Sequence, residues 1–168
     1  ITLLLLVMLF FTFGKSYSQW SENFENGIPS NWGKFTLLNG AAGTLPEWVN
    51  STGTTCQGTT GAYVSNALIG MGNTSQAWLV TPQVLLPANA DLTFFALQTF
   101  PAQNGSIYEL RLSTTSQTDT STFTLVKTWT ENEMNPGNQI ACYKQTVDLG
   151  AYAGQNVYLA FIKKDTQY

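Results

Sequence analysis

Ser106-Ile107-Tyr108-Glu109-Leu110-Arg111-Leu112-Ser113 alternates along its whole length. Ile107, Glu109 and Arg111 fall on one side, and Tyr108, Leu110 and Leu112 on the other. Successive side chains of a strand point to opposite faces. The stretch therefore reads as a strand with one buried and one polar face, as antiparallel sheets allow. Outward from it the chain repeats short apolar runs rich in β-branched and aromatic residues, each closed by turn residues. Gly61–Asn66 and Gln76–Thr81 read as two strands around a glycine-rich turn, the second ended by Pro82. Asp91–Gln98 is the most apolar run and is expected to lie centrally. Phe123–Thr130, Cys142–Leu149 and Asn156–Lys163 complete the later set, and Trp20–Glu25 reads as an imperfect first strand. Gly150–Gly154 reads as a tight connection with a short helical turn, and Glu131–Gln139 as a loop. No stretch carries a sustained 3.6-residue period, so nine or ten strands predict an all-β antiparallel sandwich.

Ahead of these strands, Ile1 to Phe13 is an unbroken apolar run, followed by Gly14, Lys15 and the small residues Ser16 and Ser18. Ser16 and Ser18 fit the −3 and −1 positions of a signal-peptidase site, which makes residues 1–18 a signal peptide and Gln19 the mature N-terminus. The run is shorter than the roughly 20 apolar residues of a membrane span; a retained N-terminal anchor is the alternative. Either way, everything after Gln19 is exported, and residues 19–168 form one domain. The chain starts at Ile1 and stops in an apparent turn at Tyr168, as expected of a fragment.

Charged residues are only 10% of the 168, while hydrophobic residues are 43%; a disordered chain needs the reverse balance. A formal net charge of −3 leaves no basic footprint for nucleic acid. Export gives Cys56 and Cys142 two readings: a disulfide in an oxidising compartment, or two separate buried thiols packed as small apolar residues.

The chain contains no histidine. That removes Ser-His-Asp and Cys-His catalysis and the commonest zinc ligand. No motif marks a Ser-Lys pair. Glu131 and Glu133 would share a face on a strand, and glycosidases set two carboxyls about 5–5.5 or 6.5–9.5 Å apart; the competing reading is a solvated acidic loop. Glu22, Asn23, Glu25 and Asn26 gather carboxylates and amides of the kind calcium takes, with carbonyls available from the Asn50–Gly61 loop; the competing reading is a polar strand edge. Of the five tryptophans, Trp78 belongs in the core. Trp32 and Trp48 stand among Gly, Asn and Pro and are candidates for a ligand-facing surface.

Several of these segments, taken in order, resemble one known family. Phe24-Glu25-Asn26-Gly27-Ile28-Pro29-Ser30-Asn31-Trp32 is similar to the FE-x-G-x-P-x-x-W opening of cleaved-adhesin and choice-of-anchor domains, bacterial extracellular modules that include the adhesin regions of gingipains. Gly61-Ala62-Tyr63-Val64-Ser65 and Trp78-Leu79-Val80-Thr81-Pro82 resemble the middle signature, with Leu86-Pro87 and Leu92-Thr93-Phe94 continuing it. Tyr108–Ser113, Val147-Asp148-Leu149 and Gly154–Phe161 resemble the second half, and animal MAM domains share the outline. The resemblance implies a jelly-roll sandwich for adhesion or carbohydrate binding, non-catalytic and often calcium-bound. Glu25 takes the family's FE position and Glu22 comes second. Family members close with a strand of the type I-D-D-[VI], which this chain does not reach. The expected partner is an extracellular glycan or protein, with a membrane engaged only through an anchor outside this chain. The expected location is secreted or cell-surface. The alternative is an accessory domain of a secreted protease or glycoside hydrolase.

Overall fold

The computed structural model describes residues 20–40, 45–53, 55–65, 70–99, 104–137 and 140–166. The signal-peptide reading of residues 1–18 lies outside them. Among the described residues ten strands follow one another: β1 Gly33–Asn39, β2 Trp48–Ser51, β3 Gly61–Val64, β4 Thr74–Val80, β5 Val84–Leu85, β6 Asp91–Leu97, β7 Ile107–Ser113, β8 Thr124–Thr130, β9 Cys142–Asp148 and β10 Asn156–Thr166. A one-turn helix, α1 Glu131–Met134, interrupts the expected loop, and 3-10 turns form at Thr120–Thr122 and Gly150–Tyr152.

The main sheet runs β1-β4-β10-β7-β8, with β5 paired to the start of β10. Every pairing in it is antiparallel. Its two faces differ. Leu79, Phe161 and Leu110 share one row, and around them a core forms from Leu112, Val157, Leu159 and Trp129. The β6–β9 pair covers this face: Phe94 meets Trp129 and Phe161 edge-on, with ring centroids 5.7 and 5.3 Å apart. Such aromatic pairs add to burial about 0.5–1.5 kcal/mol each. On the opposite face Phe35 stacks on Trp78 at 5.5 Å, and Phe123 closes against Trp78 edge-on. Gln117 pins the covering loop there by donating to the carbonyls of Asn31 and Thr81.

The all-β, jelly-roll-type sandwich expected from the sequence is the fold, and four local expectations change. Asp91–Leu97 is not central but pairs with β9 alone. Gly61–Val64 and Thr74–Val80 do not pair with each other: β3 pairs with β2, and β4 lies between β1 and β10. The polar face of β7 is closed, not solvated, because Glu109 is buried between Arg111 and Lys164. Burial, the largest single influence, pushes the Glu109 carboxyl up, but the bonds and charges of Lys164 and Arg111 outweigh it and hold the group below its usual range. Lastly, Trp20–Glu25 forms no strand. Glu22 Oε1 accepts the Phe24 N–H at 2.7 Å and Asn23 Oδ1 accepts the Glu25 N–H at 3.1 Å. Side chains that capture local amides compete with a ladder, and Phe24 adopts a left-handed φ of 57°.

A disulfide joins Cys56, in the β2–β3 loop, to Cys142 at the start of β9. It links the hairpin β2–β3 to the β6–β9 pair.

Candidate functional site

Three groups of residues outside the apolar core carry chemistry. The first is the corner around Glu25. Thr59 donates to it twice, by N–H at 2.8 Å and by Oγ1 at 2.7 Å, and Thr60 N–H adds a third bond at 3.4 Å. Thr60 Oγ1 donates to the Phe24 carbonyl. The hydroxyl and then the amide of Thr59, followed by the amide of Thr60, hold the Glu25 carboxyl below its usual range. The 55–60 loop can wrap this closely because residue 58 is glycine: its φ is +68°, and a Cβ there would overlap Glu25 Oε1. Across the corner, Asn50 Oδ1 accepts the Ile28 N–H at 2.6 Å.

Calcium takes six to eight oxygen ligands. At Glu25 the carboxylate already accepts three protein donors, and donor hydrogens directed at an oxygen compete with a cation for it. Glu22 is engaged by the Phe24 amide. Among the described residues no group of three or more His, Cys, Asp or Glu converges as a metal set. The residues present therefore do not by themselves fit calcium. Glu25 acts in this arrangement as the peg on which the Trp20–Trp32 segment and the 55–60 loop hang.

Of the two tryptophans expected on a ligand-facing surface, Trp32 packs inside and Trp48 is half-buried. Trp32 is buried, 7% exposed. It packs edge-on against Phe24 at 5.1 Å and, tilted by 32°, against Trp20 at 5.7 Å, so it fills an interior. Trp48 is half-buried, and its indole N–H donates to the Ala77 carbonyl at 3.1 Å, which anchors β2 on β4. The exposed aromatics among the described residues are others: Phe95 at 43%, Trp20 at 39% and Tyr63 at 38%. Tyr63 stands directly opposite exposed Val49 in the hairpin, on one face of the β2–β3 pair. Its place in the short run Gly-Ala-Tyr-Val-Ser, read as a strand from the sequence, was the available signal.

The second group, inside the sandwich, is buried. In register, Ala77, Lys163, Tyr108 and Trp129 form a row across β4, β10, β7 and β8, and Ser75 pairs with Asp165 one step along that face. Lys163 Nζ lies 2.5 Å from both carboxylate oxygens of Asp165, and Ser106 Oγ donates to Asp165 Oδ1 at 2.6 Å. Glu131 is also buried, and its Oε2 accepts the Gly105 N–H at 3.2 Å. Burial holds the Lys163 ammonium below the usual lysine range against the pull of Asp165 and Glu131. Burial first, then the charges of Glu131 and Asp165, push the Tyr108 hydroxyl far above its usual range.

Glu131 and Glu133 separate, which ends the paired-carboxylate expectation. They lie on helix α1, not a strand; Glu131 turns inward, while exposed Glu133 closes a capping box with Thr130. Thr130's amide and hydroxyl hold the Glu133 carboxyl below its usual range. The third group borders a hollow of about 60 Å³ lined by Ala96, Leu97, Gln98, Tyr108, Met134 and Asn135. Ligand pockets run to about 300–1,000 Å³, so this hollow is no sugar-sized site.

The cleaved adhesin domain model matches residues 18–166. The chain belongs to the cleaved adhesin domain family. It is 38% identical over 96 residues to Hemagglutinin A of Porphyromonas gingivalis, a stretch that is 50% of this chain and 4% of that protein. The K1 cleaved adhesin domain of Lys-gingipain from P. gingivalis W83 superposes with a TM-score of 0.50 at 23% identity, covering 86% of this chain and 92% of that domain. The K3 domain gives 0.50 at 22% identity, covering 86% and 93%. A structure described as showing the promiscuous specificity of carbohydrate-binding modules of the β-sandwich superfamily gives 0.53 at 14% identity, covering 86% and 54%. These likenesses show the sandwich fold, and the family is one of adhesin-type binding domains. Among the described residues no helix is long and apolar enough to cross a membrane.

Proposed function

We propose that this cleaved adhesin domain is an exported, non-catalytic binding module that engages an extracellular glycan or protein through the outer face of the β2–β3 hairpin. The observation that carries the reading is the Tyr63–Val49 pair: an aromatic ring and a β-branched side chain, exposed and directly opposite each other. Most aromatic rings in the domain are packed. A tyrosine held on a strand offers a flat apolar face and a hydroxyl at low entropic cost. The hairpin is a rigid mount, tied to β4 by the Trp48 indole, to the 27–28 backbone by Asn50, and to β9 through the disulfide. The fold likeness to carbohydrate-binding modules supports a glycan as ligand. Fold alone does not fix function, so the face must be tested. Calcium is no part of this reading, since Glu25 is satisfied by threonine donors.

The test is binding of the purified, disulfide-intact chain to an immobilised glycan array and to a panel of extracellular matrix proteins. Tyr63→Ala is expected to lower binding at least tenfold with the melting temperature kept, while Tyr63→Phe retains most of it. No binding on either panel overturns the reading. Binding that Tyr63→Ala leaves intact moves the site off this face. Hemagglutinin A is many times longer than the matched stretch, which favours, as a second reading, one module of a longer secreted chain such as a protease or glycoside hydrolase.

A further inference from the structure

On the outer face of the main sheet one arginine is fixed from below and open above. In register, Val80, Ala160, Arg111 and Leu125 form a row across β4, β10, β7 and β8. Ala160 is small and fully buried, so the Arg111 side chain can cross β10 above it. The guanidinium carbon comes to 5.9 Å from the centroid of the Trp78 ring, a placement that attracts a cation to the ring face. Arg111 Nε donates to Glu109 Oε2 at 2.7 Å, and Lys164 Nζ donates to Glu109 Oε1 at 2.9 Å. Both oxygens of the buried acid are thus taken by cations, while Arg111 and Lys164 keep 26% and 33% of their side chains in water. Among the described residues Arg111 makes its hydrogen bond through Nε, and none reaches its two terminal nitrogens. They form a fork of N–H donors held by an aromatic ring and a carboxylate, with little rotamer freedom left to lose. Such a fork matches a carboxylate with two parallel bonds.

Charge and surroundings narrow what the fork can take. Alternation along β1, β4, β10, β7 and β8 puts no charged residue on this face besides Glu109, Arg111 and Lys164. Two cations over one acid leave the face positive, on a chain whose net charge is −3. Beside the fork the surface turns apolar. Leu125, directly opposite Arg111, is 53% exposed, and the partly buried ring of Tyr158 lies two residues from Ala160 on the same side of β10. A group that satisfies both halves has a carboxylate fixed rigidly to a ring with an apolar face. A uronic acid has that form, whereas an acidic peptide carries its carboxylates on flexible stems. We propose that Arg111, flanked by Lys164, is the receptor for the carboxylate of an acidic sugar, a uronate within an extracellular glycan, whose ring rests against Tyr158 and Leu125. The site lies on a different sheet from Tyr63 and does not rest on the hairpin reading.

The test is calorimetric titration of the purified, disulfide-intact chain with oligogalacturonate, alongside neutral galactan and polyglutamate. Oligogalacturonate is expected to bind more tightly than either, and less tightly as salt is raised. Arg111→Lys keeps a cation beside Glu109 and removes the fork; it is expected to weaken binding about tenfold with the melting temperature kept. Lys164→Gln is expected to weaken it about two- to threefold, as for an exposed flanking charge. Tyr63→Ala is expected to leave it unchanged, which separates this site from the hairpin. In nuclear magnetic resonance of the wild type, the Arg111 Nε–H signal should shift as oligogalacturonate is added, a readout that needs no variant to fold. Several results overturn the proposal: no binding of oligogalacturonate, an Arg111 signal that does not move, or Arg111→Lys binding as tightly as wild type. Galactan binding as tightly would remove the carboxylate from the recognition, and polyglutamate binding as tightly would make the ligand an acidic peptide. Loss of binding in Tyr63→Ala would transfer the acidic sugar to the hairpin face.

Discussion

Glu25 and Asp165 are both carboxylates held by protein donors, yet the two sites obey different physics. Glu25 lies at the surface and is held by neutral donors: a hydroxyl and two amides of Thr59 and Thr60. Water could replace any of them, so the site's value is geometric; it fixes where one segment lies against another. Asp165 lies inside, where water cannot substitute, and it is matched by an ammonium and a hydroxyl. There a missing partner leaves a bare buried charge. The same functional group is thus a peg in one place and a liability in the other, and perturbation separates the two roles.

The largest effect is expected on the surface side, through the covalent tie that holds the loop around Glu25. Cys56 and Cys142 are 86 residues apart in sequence. Closing a loop of that size stabilises by about 4–5 kcal/mol on the chain-entropy estimate. Cys56→Ser/Cys142→Ser should show that loss in urea melts, with amide exchange at Thr59 and Thr60 accelerating well before global unfolding. If those amides stay as protected as in the wild type, the disulfide does not hold the corner.

Inside, Lys163→Ala is expected to cost about 3–5 kcal/mol, the range for removing one partner of a buried pair. Lys163→Met/Asp165→Leu, which removes both charges at similar volume, should recover most of it. A double variant no more stable than the single would mean that shape, not charge, sets the cost. A distinctive mark of the interior site is that Tyr108, pressed by burial and two acids, should not ionise in ultraviolet titration until the chain unfolds.

The fold was legible because β7, β8, β9 and β10 announce themselves locally by alternation and turn residues. β1 and β2 did not. Gly33–Asn39 opens with Gly and Lys, and Trp48–Ser51 is four residues long, so each is a strand only by virtue of what it pairs with. The Glu25 corner was half legible: its carboxylates and amides stand out in five residues, but the donors that claim them lie 34 and 35 residues away. That distance is why the pattern read as a cation site. Glu131 was invisible as a buried group, since it sits in a polar run and is drawn inside by the backbone near Gly105, 26 residues earlier. Trp32 misled for a related reason. Its Asn and Pro neighbours mark a turn, and a turn can fold its aromatic residue inward, here onto Phe24 and Trp20.

The smallest expected effect tests the peg itself, by pH and by calcium. Glu25's folded pKa lies below its ordinary value, so its contribution is complete above the ordinary carboxylate range and is lost as pH falls through the lowered value. The difference in melting temperature between wild type and Glu25→Gln should therefore be constant from neutral pH down to about 5 and shrink toward zero on further acidification. A difference that grows with acid would contradict the assignment of the donors. Calcium is expected to leave both curves where they are, because a cation would have to displace the Thr59 and Thr60 donors from the Glu25 carboxylate. A rise in wild-type melting temperature with calcium that Glu25→Gln abolishes would show the reverse. The threonine loop would then be only a placeholder that opens for the ion, and the surface site, like the interior one, would be organised around a positive charge.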